Sequence, residues 1–94
     1  MTVEFSPQAR DDLRRAYEYV AKDNADAADR LLARIVRIVG MLASGRVRGR
    51  EVTLRDGRRV RAWSIPPYRL YYRARADVFE IVRIHHQARF SIER

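Results

Sequence analysis

The spacing of apolar residues changes near residue 45, and this change limits the possible folds more than any other feature of the chain. In the first half, apolar side chains recur every three or four residues in two stripes, which is the period of an amphipathic helix. From residue 52 onward they alternate with polar residues, which is the period of a strand. The chain therefore predicts helices followed by a sheet.

The two helical stripes are bounded by residues that are typical of helix ends. Ser6 and Pro7 have the types preferred at an N-cap and at the first helical position, and Asn24 is a cap for the second helix. Ser44 and Gly45 end the second helix with the glycine common after a helix C-terminus. Since only a short break separates the stripes, we expect an antiparallel helical hairpin.

Five short stretches have the alternation or the composition of strands: residues 2–5, 52–55, 58–63, 68–73 and 78–85. Asp56-Gly57 predicts a type I′ turn in the first hairpin of the second half. Pro66-Pro67 separates two strands because proline cannot donate to a sheet ladder. The expected fold is α+β, with an N-terminal short strand and an antiparallel helical hairpin packed on a three- to four-stranded antiparallel sheet. At this length we expect residues 1–94 to form a single domain.

The residues that bind metals are scarce. The chain has no cysteine, and its two histidines, His85 and His86, are neighbours on a predicted strand. Neighbouring strand residues point to opposite faces, so the pair cannot share a metal in the usual way. We therefore expect no metal and no cofactor.

The sequence has no membrane signal either. No apolar run approaches the roughly 20 residues needed to cross a bilayer. The first residues lack the basic and apolar regions of a signal peptide. We expect a cytoplasmic protein.

The positive charge is confined to the second half of the chain. Residues 1–45 contain seven basic and seven acidic residues, whereas residues 46–94 contain thirteen and five, which accounts for the whole net charge of +8. Nineteen of the twenty basic residues are arginines, whose planar fork suits carboxylates and phosphates. A GC-rich genome would explain the preference for arginine over lysine but not its one-sided placement. The second half therefore predicts a surface for an acidic partner.

Arginines and aromatic residues alternate along the predicted strands, which permits stacking and cation–π contact. The candidate binding residues are Arg59, Arg61, Trp63, Arg69, Tyr71, Arg73 and Arg83. The alternative is a solvated sheet face whose arginine stems cover apolar surface, although such a face would mix charges of both signs more evenly. Glu51 and Glu80 are expected to be internal ion-pair partners of neighbouring arginines.

Five segments, in this order, resemble the RelE/ParE superfamily of toxins from toxin–antitoxin systems: residues 3–13, 17–20, 49–50, 67–73 and 80–89. The first resembles the family's short strand followed by "A..DL". The fourth, Pro67-Tyr68-Arg69-Leu70-Tyr71-Tyr72-Arg73, resembles "pyRi.Yr", and the last resembles "IlRvlH..R". The resemblance implies a helical hairpin over an antiparallel sheet.

The superfamily includes two activities. RelE-like members are ribosome-dependent messenger-RNA endonucleases, and the resemblance would assign Arg69, Arg83 and His86 to such a catalytic site. ParE-like members poison DNA gyrase by protein–protein interaction. The predicted sheet has no lysine and no tyrosine follows Tyr72, two residue types that RelE-like sites often use. The resemblance therefore favours the ParE-like branch, without a catalytic site of its own.

The ParE-like branch implies two partners, a cognate ParD-like antitoxin in a hetero-oligomer and DNA gyrase as the target. An acidic, partly disordered antitoxin tail can fold onto a basic sheet and a helical groove. Direct contact with nucleic acid is not required. The alternatives are the RelE-like ribonuclease and a nucleic-acid-binding module that uses the same basic face.

Overall fold

The computed structural model describes all 94 residues and contains two helices and five strands. They are β1 (Thr2–Phe5), α1 (Pro7–Ala21), α2 (Ala25–Ala43), β2 (Arg50–Thr53), β3 (Arg59–Ile65), β4 (Tyr68–Arg75) and β5 (Val78–His86). The strands form one sheet in the order β1-β5-β4-β3-β2. The expected α+β fold is confirmed, but the sheet has five strands because β1 joins it parallel to β5. Neither helix combines the length and hydrophobicity that a membrane-spanning helix requires.

Both helices begin at the predicted caps. The side chains of Ser6 and Asn24 each accept a hydrogen bond of 3.0 Å from the backbone N–H three residues further on. α2 ends at Ala43, and Gly45 adopts a left-handed conformation with φ of 79°. The N–H groups of Gly45 and Arg46 donate to carbonyls of the last turn, which is the Schellman arrangement.

The turn between β2 and β3 is not the predicted type I′ turn. That type needs positive φ at both central residues, but only Gly57 has it, with φ of 93°. The N–H of Gly57 donates to the carbonyl of Leu54 at 2.9 Å, so the loop has three residues. The carboxylate of Asp56 accepts from the backbone N–H of Arg58 at 3.0 Å and pairs with its guanidinium at 2.8 Å. These contacts stabilise the longer loop and lower the pKa of Asp56.

The turn between β4 and β5 holds an alanine where glycine is favoured. Ala76 has φ of 51°, a conformation that costs an L-residue about 1–2 kcal/mol. We expect Ala76→Gly to raise the free energy of unfolding by about 0.5–1 kcal/mol, after allowing for the greater freedom of glycine in the unfolded chain. Urea denaturation measures this change. Ala74→Gly, in the regular part of β4, should lower stability, and two changes of the same sign would contradict the argument.

Apolar side chains are buried on both faces of the sheet. On one face α1 and α2 cover the main core, which includes Ile35, Leu70 and Ile81. On the other, called here the outer face, a smaller core contains Leu54, Val60, Ala62, Tyr71 and Val82. The central strands β4 and β5 are therefore apolar on both sides.

An irregularity in β5 changes the edge of the sheet. Tyr71 lies opposite Arg83 and Tyr72 opposite Ile81, so Val82 is an extra residue in the ladder. Such a bulge bends a strand and redirects its side chains. It occurs just where β1 ends and the start of α1 takes its place beside β5, since the hydroxyl of Ser6 donates to the carbonyl of Val82 at 2.8 Å.

Candidate functional site

The predicted binding residues lie on two opposite faces of the sheet. Arg61 pairs with Tyr72 across β3 and β4, whereas Ala62 pairs with Tyr71. Directly paired residues share a face, so Arg61 and Tyr71 lie on opposite faces. The helix-covered face carries Arg59, Arg61 and Trp63, and the outer face carries Arg69, Tyr71 and Arg73. The strands therefore do not form one continuous basic surface.

A cleft of about 580 Å³ opens on the helix-covered face, beside the end of α2. We call it the helix-side cleft. Its floor is apolar and is formed by Leu42, Val47, Tyr72 and Phe79. Its rim is basic and is formed by Arg48, Arg59 and Arg61. The rings of Tyr72 and Phe79 stack in the floor, with centroids 4.9 Å apart.

The rim of the helix-side cleft contains unpaired positive charge. Arg61 donates to the carbonyl of Gly49 at 2.8 Å and lies 3.6 Å from the carboxylate of Glu51. Arg48 and Arg59 make no ion pair within the chain. An apolar floor beside free guanidinium groups suits an acidic segment that also carries apolar side chains. Trp63 packs against the main core and does not line this cleft.

Residues 90–94, called here the C-terminal segment, lie on the outer face. Ile92 packs on the smaller core, and Glu93 forms a bridge with Leu54. Glu93 Oε2 accepts from the hydroxyl of Tyr71 at 2.7 Å and lies 2.7 Å from Arg69 Nε. The Nε–H of Arg69 does not point at that oxygen, so it is buried without a hydrogen bond although the charges are in contact. Glu93 of the same chain therefore contacts two of the predicted binding residues, Tyr71 and Arg69.

Tyr71 is only 1% exposed, so it is a core residue rather than a surface contact. Burial raises its pKa well above the usual range, and the hydrogen bond to Glu93 adds to this effect. The hydroxyl therefore stays protonated and keeps donating to Glu93 at any physiological pH.

The carboxylates of the sheet neutralise neighbouring arginines, as predicted. Arg73 Nε lies 2.8 Å from Glu80 Oε1, and Arg61 lies near Glu51. Arg69 and Arg83 also have acidic partners. Of the predicted arginines, only Arg59 has no ion pair.

Arg83 makes the most extensive of these pairs. Its Nε and Nη2 donate to the two oxygens of Asp12 at 2.8 and 3.2 Å, and the hydrogen bonds raise the pKa of the guanidinium. The backbone N–H of Ile84 donates to the same carboxylate at 2.9 Å. The sequence patterns did not indicate a binding or pairing role for Asp12. The available signal was its place on the buried side of α1, between Ala9 and Ala16.

The three residues that a RelE-like site would need do not all meet: Arg83 and His86 line one pocket, but Arg69 lies outside it. Arg69 pairs with His85 across β4 and β5, and Tyr68 pairs with His86, so Arg69 and His86 lie on opposite faces. The ring of His86 packs edge-on against Tyr68, with centroids 5.1 Å apart. Arg83 is held by Asp12. No group of three or more His, Cys, Asp or Glu side chains could hold a metal ion.

The fold and the divided basic surface define a small α+β protein that carries arginines on both faces of its sheet. The same fold occurs in a chain of the chromosomal ParDE toxin–antitoxin system from P. aeruginosa. That chain aligns with a TM-score of 0.72 and 23% identity, covering 92% of this chain and 95% of its own. No curated protein sequence matches.

The sequence model described as "ParE toxin of type II toxin-antitoxin system, parDE" matches residues 3–89. The chain therefore belongs to the ParE toxin family, and the ParE-like branch predicted from the sequence is confirmed.

Proposed function

We propose that the protein inhibits DNA gyrase by direct protein–protein interaction and that a cognate ParD-like antitoxin neutralises it. The observation that carries the proposal is family membership over residues 3–89. The solved neighbour belongs to a ParDE toxin–antitoxin system, and we extend that pairing to this chain. Since gyrase acts in the cytoplasm, so does the toxin.

The geometry supports inhibition by binding over the RelE-like alternative. Proton transfer requires an acid or base within hydrogen-bond reach of the reacting group. His86 and Arg69 lie on opposite faces, and Arg83 is engaged by a carboxylate. An inhibitor that acts through its surface needs none of these groups to converge.

The helix-side cleft is the proposed antitoxin site. Its floor would accept apolar side chains, and the free guanidinium groups of Arg48 and Arg59 would pair with acidic ones. A segment that is disordered alone can fold into such a groove because it buries apolar surface and pairs its charges there. The outer face, with Arg69 and Arg73 next to the C-terminal segment, remains the second candidate contact surface, together with Arg83 at its edge.

Arg59→Glu should weaken antitoxin binding by about 10- to 100-fold, because like charges facing each other across an interface cost up to several kcal/mol. Calorimetric titration with the antitoxin encoded beside the toxin gives the dissociation constant. Arg37→Glu makes the same charge change on the exposed side of α2, outside the cleft. If both variants lose the same antitoxin affinity, only the net charge matters, and the cleft is not the antitoxin site.

A gyrase supercoiling assay tests the function itself. We expect the purified protein to inhibit supercoiling and to accumulate cleaved DNA, and we expect the antitoxin to reverse both effects. A ribosome-programmed cleavage assay is run in parallel and should show no cut message. Cleavage in the ribosomal A site that disappears in Arg83→Ala or His86→Ala would overturn the proposal in favour of the ribonuclease. Salt-sensitive binding to bare nucleic acid with neither effect would favour the binding module.

A further inference from the structure

A second pocket, of about 310 Å³, lies between α1 and the end of β5. We call it the α1–β5 pocket. Its polar lining comes from four parts of the chain: Asp12, Arg15 and Tyr19 on α1, Tyr68 on β4, Arg83, His85 and His86 on β5, and Arg89 just beyond. It is separate from the helix-side cleft and shares no residue with it.

Tyr68 brings an unpartnered polar group to this pocket. The residue is only 6% exposed, and its hydroxyl makes no hydrogen bond within the chain. Burial raises its pKa, whereas the charge of Arg89 opposes the rise and Tyr19 adds to it. The groups that act on the hydroxyl are thus themselves lining residues of the pocket. The ring is buried but the hydroxyl oxygen reaches the pocket, where it is free to donate to a bound acceptor.

His86 supplies a second donor beside Tyr68. Its Nδ1 accepts from the backbone N–H of Ala88 at 3.1 Å, so the proton of the neutral ring lies on Nε2. Nε2 has no partner within the chain. Because the His86 and Tyr68 rings are in edge-to-face contact at 5.1 Å, the two donors belong to one cluster.

The remaining charges in the pocket are positive or already neutralised. Arg15 and Arg89 make no ion pair within the chain. The lining carboxylate, Asp12, already accepts from Arg83 and from the backbone N–H of Ile84. The pocket therefore presents free donors and positive charge, with its carboxylate occupied, and its complement is an anion rich in acceptors.

We propose that the α1–β5 pocket binds the phosphate group of a small phosphate monoester, such as a mononucleotide. The three terminal oxygens of one phosphate can accept from a phenol, an imidazole and two guanidinium groups that approach from different elements. A carboxylate offers only two oxygens to the same four donors. The volume leaves room for a small organic group beside the phosphate. This site goes beyond gyrase inhibition and does not depend on it.

Titration of the protein alone with inorganic phosphate, AMP and acetate, at constant ionic strength, tests the site. NMR shifts of the His86 ring and the Ala88 amide report binding there. We expect phosphate and AMP to shift these signals at concentrations at least 10-fold below acetate. Tyr68→Phe keeps the ring and removes only the hydroxyl, and it should weaken phosphate binding at least 5-fold.

Two controls make the test decisive. Arg75→Gln removes one charge outside the pocket and should leave phosphate binding unchanged. Without ligand, Tyr68→Phe should leave the melting temperature unchanged or raise it, because the hydroxyl has no partner to lose. Equal binding of acetate and phosphate, an unaffected Tyr68→Phe variant, or equal losses in Arg75→Gln would each overturn the proposal. These results do not bear on gyrase, so the two proposals fail independently.

Discussion

Asp12→Ala is expected to lower the free energy of unfolding by about 2–4 kcal/mol, because it removes two charged hydrogen bonds and leaves a guanidinium and a backbone N–H without their acceptor. The side chain of Asp12 is only 9% exposed and that of Arg83 is 24% exposed, so water replaces the lost bonds poorly. For a chain of this size the loss corresponds to a fall in melting temperature of roughly 10–25 °C. Thermal unfolding and urea titration both measure it.

Two neighbouring substitutions separate the causes. Asp11→Ala removes the partner of an exposed ion pair, 3.5 Å from Arg14, and should change stability by less than about 0.5 kcal/mol. Asp12→Asn keeps an oxygen for the N–H of Ile84 but loses the charge, so its effect should lie between those of the two alanine variants. If Asp11→Ala and Asp12→Ala cost the same, the contact between α1 and β5 is not what stabilises this edge of the sheet.

Asp12 matters because β1 covers only part of the edge of β5. The parallel pairing ends at Phe5 opposite Ile81, and the bulge at Val82 follows immediately. From there the edge groups of β5 bond to α1, through the hydroxyl of Ser6 and the carboxylate of Asp12. One short strand and two side chains thus bond to backbone groups at the edge of β5, which would otherwise be open to pairing with other chains.

The helices were predictable because their signals are local. Ser6, Asn24 and Gly45 act within one turn of their own positions, and the apolar stripe of α2 runs from Ala28 to Leu42, about four turns, without interruption. The hairpins that join β3 to β4 and β4 to β5 were predictable for the same reason. Each joins strands that are neighbours in sequence, and only a turn lies between them.

The arrangement of the binding residues was not predictable, because it depends on register between strands. Alternation shows that Arg59 and Arg61 share a face, and that Arg69 and Arg73 share one. It does not show whether the two pairs share the same face, since a shift of one residue exchanges the faces. The parallel pairing of β1 with β5 is likewise set by residues more than 70 positions apart.

The net charge of the second half proved a poor guide to where free charge lies. Arg61, Arg69 and Arg73 on the central strands face carboxylates of the same chain. At the margins of the sheet, by contrast, Arg48 and Arg59 on the rim of the helix-side cleft and Arg15 and Arg89 around the α1–β5 pocket have no ion pair. An anionic partner is therefore expected to bind at these margins first.

Gly49→Ala is the second substitution with a large expected effect, a loss of about 2–3 kcal/mol in the free energy of unfolding. Gly49 precedes β2, and its backbone lies against β3. A Cβ at this position would overlap the carbonyl of Ala62 and come within 3.0 Å of the hydroxyl of Tyr72. The carbonyl belongs to a strand paired on both sides, so it cannot move aside without breaking ladder hydrogen bonds. The φ of Gly49 is not positive, which makes the expected loss steric rather than conformational.

Gly40→Ala is the matched control, and it should act in the opposite direction. Gly40 lies inside α2, and nothing stands within 4 Å of an added Cβ. Alanine is favoured over glycine in a helix, so the free energy of unfolding of this variant should rise by about 0.5–1 kcal/mol.

The N–H of Gly49 donates to Tyr72 at 2.6 Å and its carbonyl accepts from Arg61, so the same residue fixes the floor and the rim of the helix-side cleft. Gly49→Ala should therefore weaken antitoxin binding even at temperatures where the variant is fully folded, whereas Gly40→Ala should not. Unchanged antitoxin affinity in a folded, destabilised Gly49 variant would show that the cleft is not the antitoxin site.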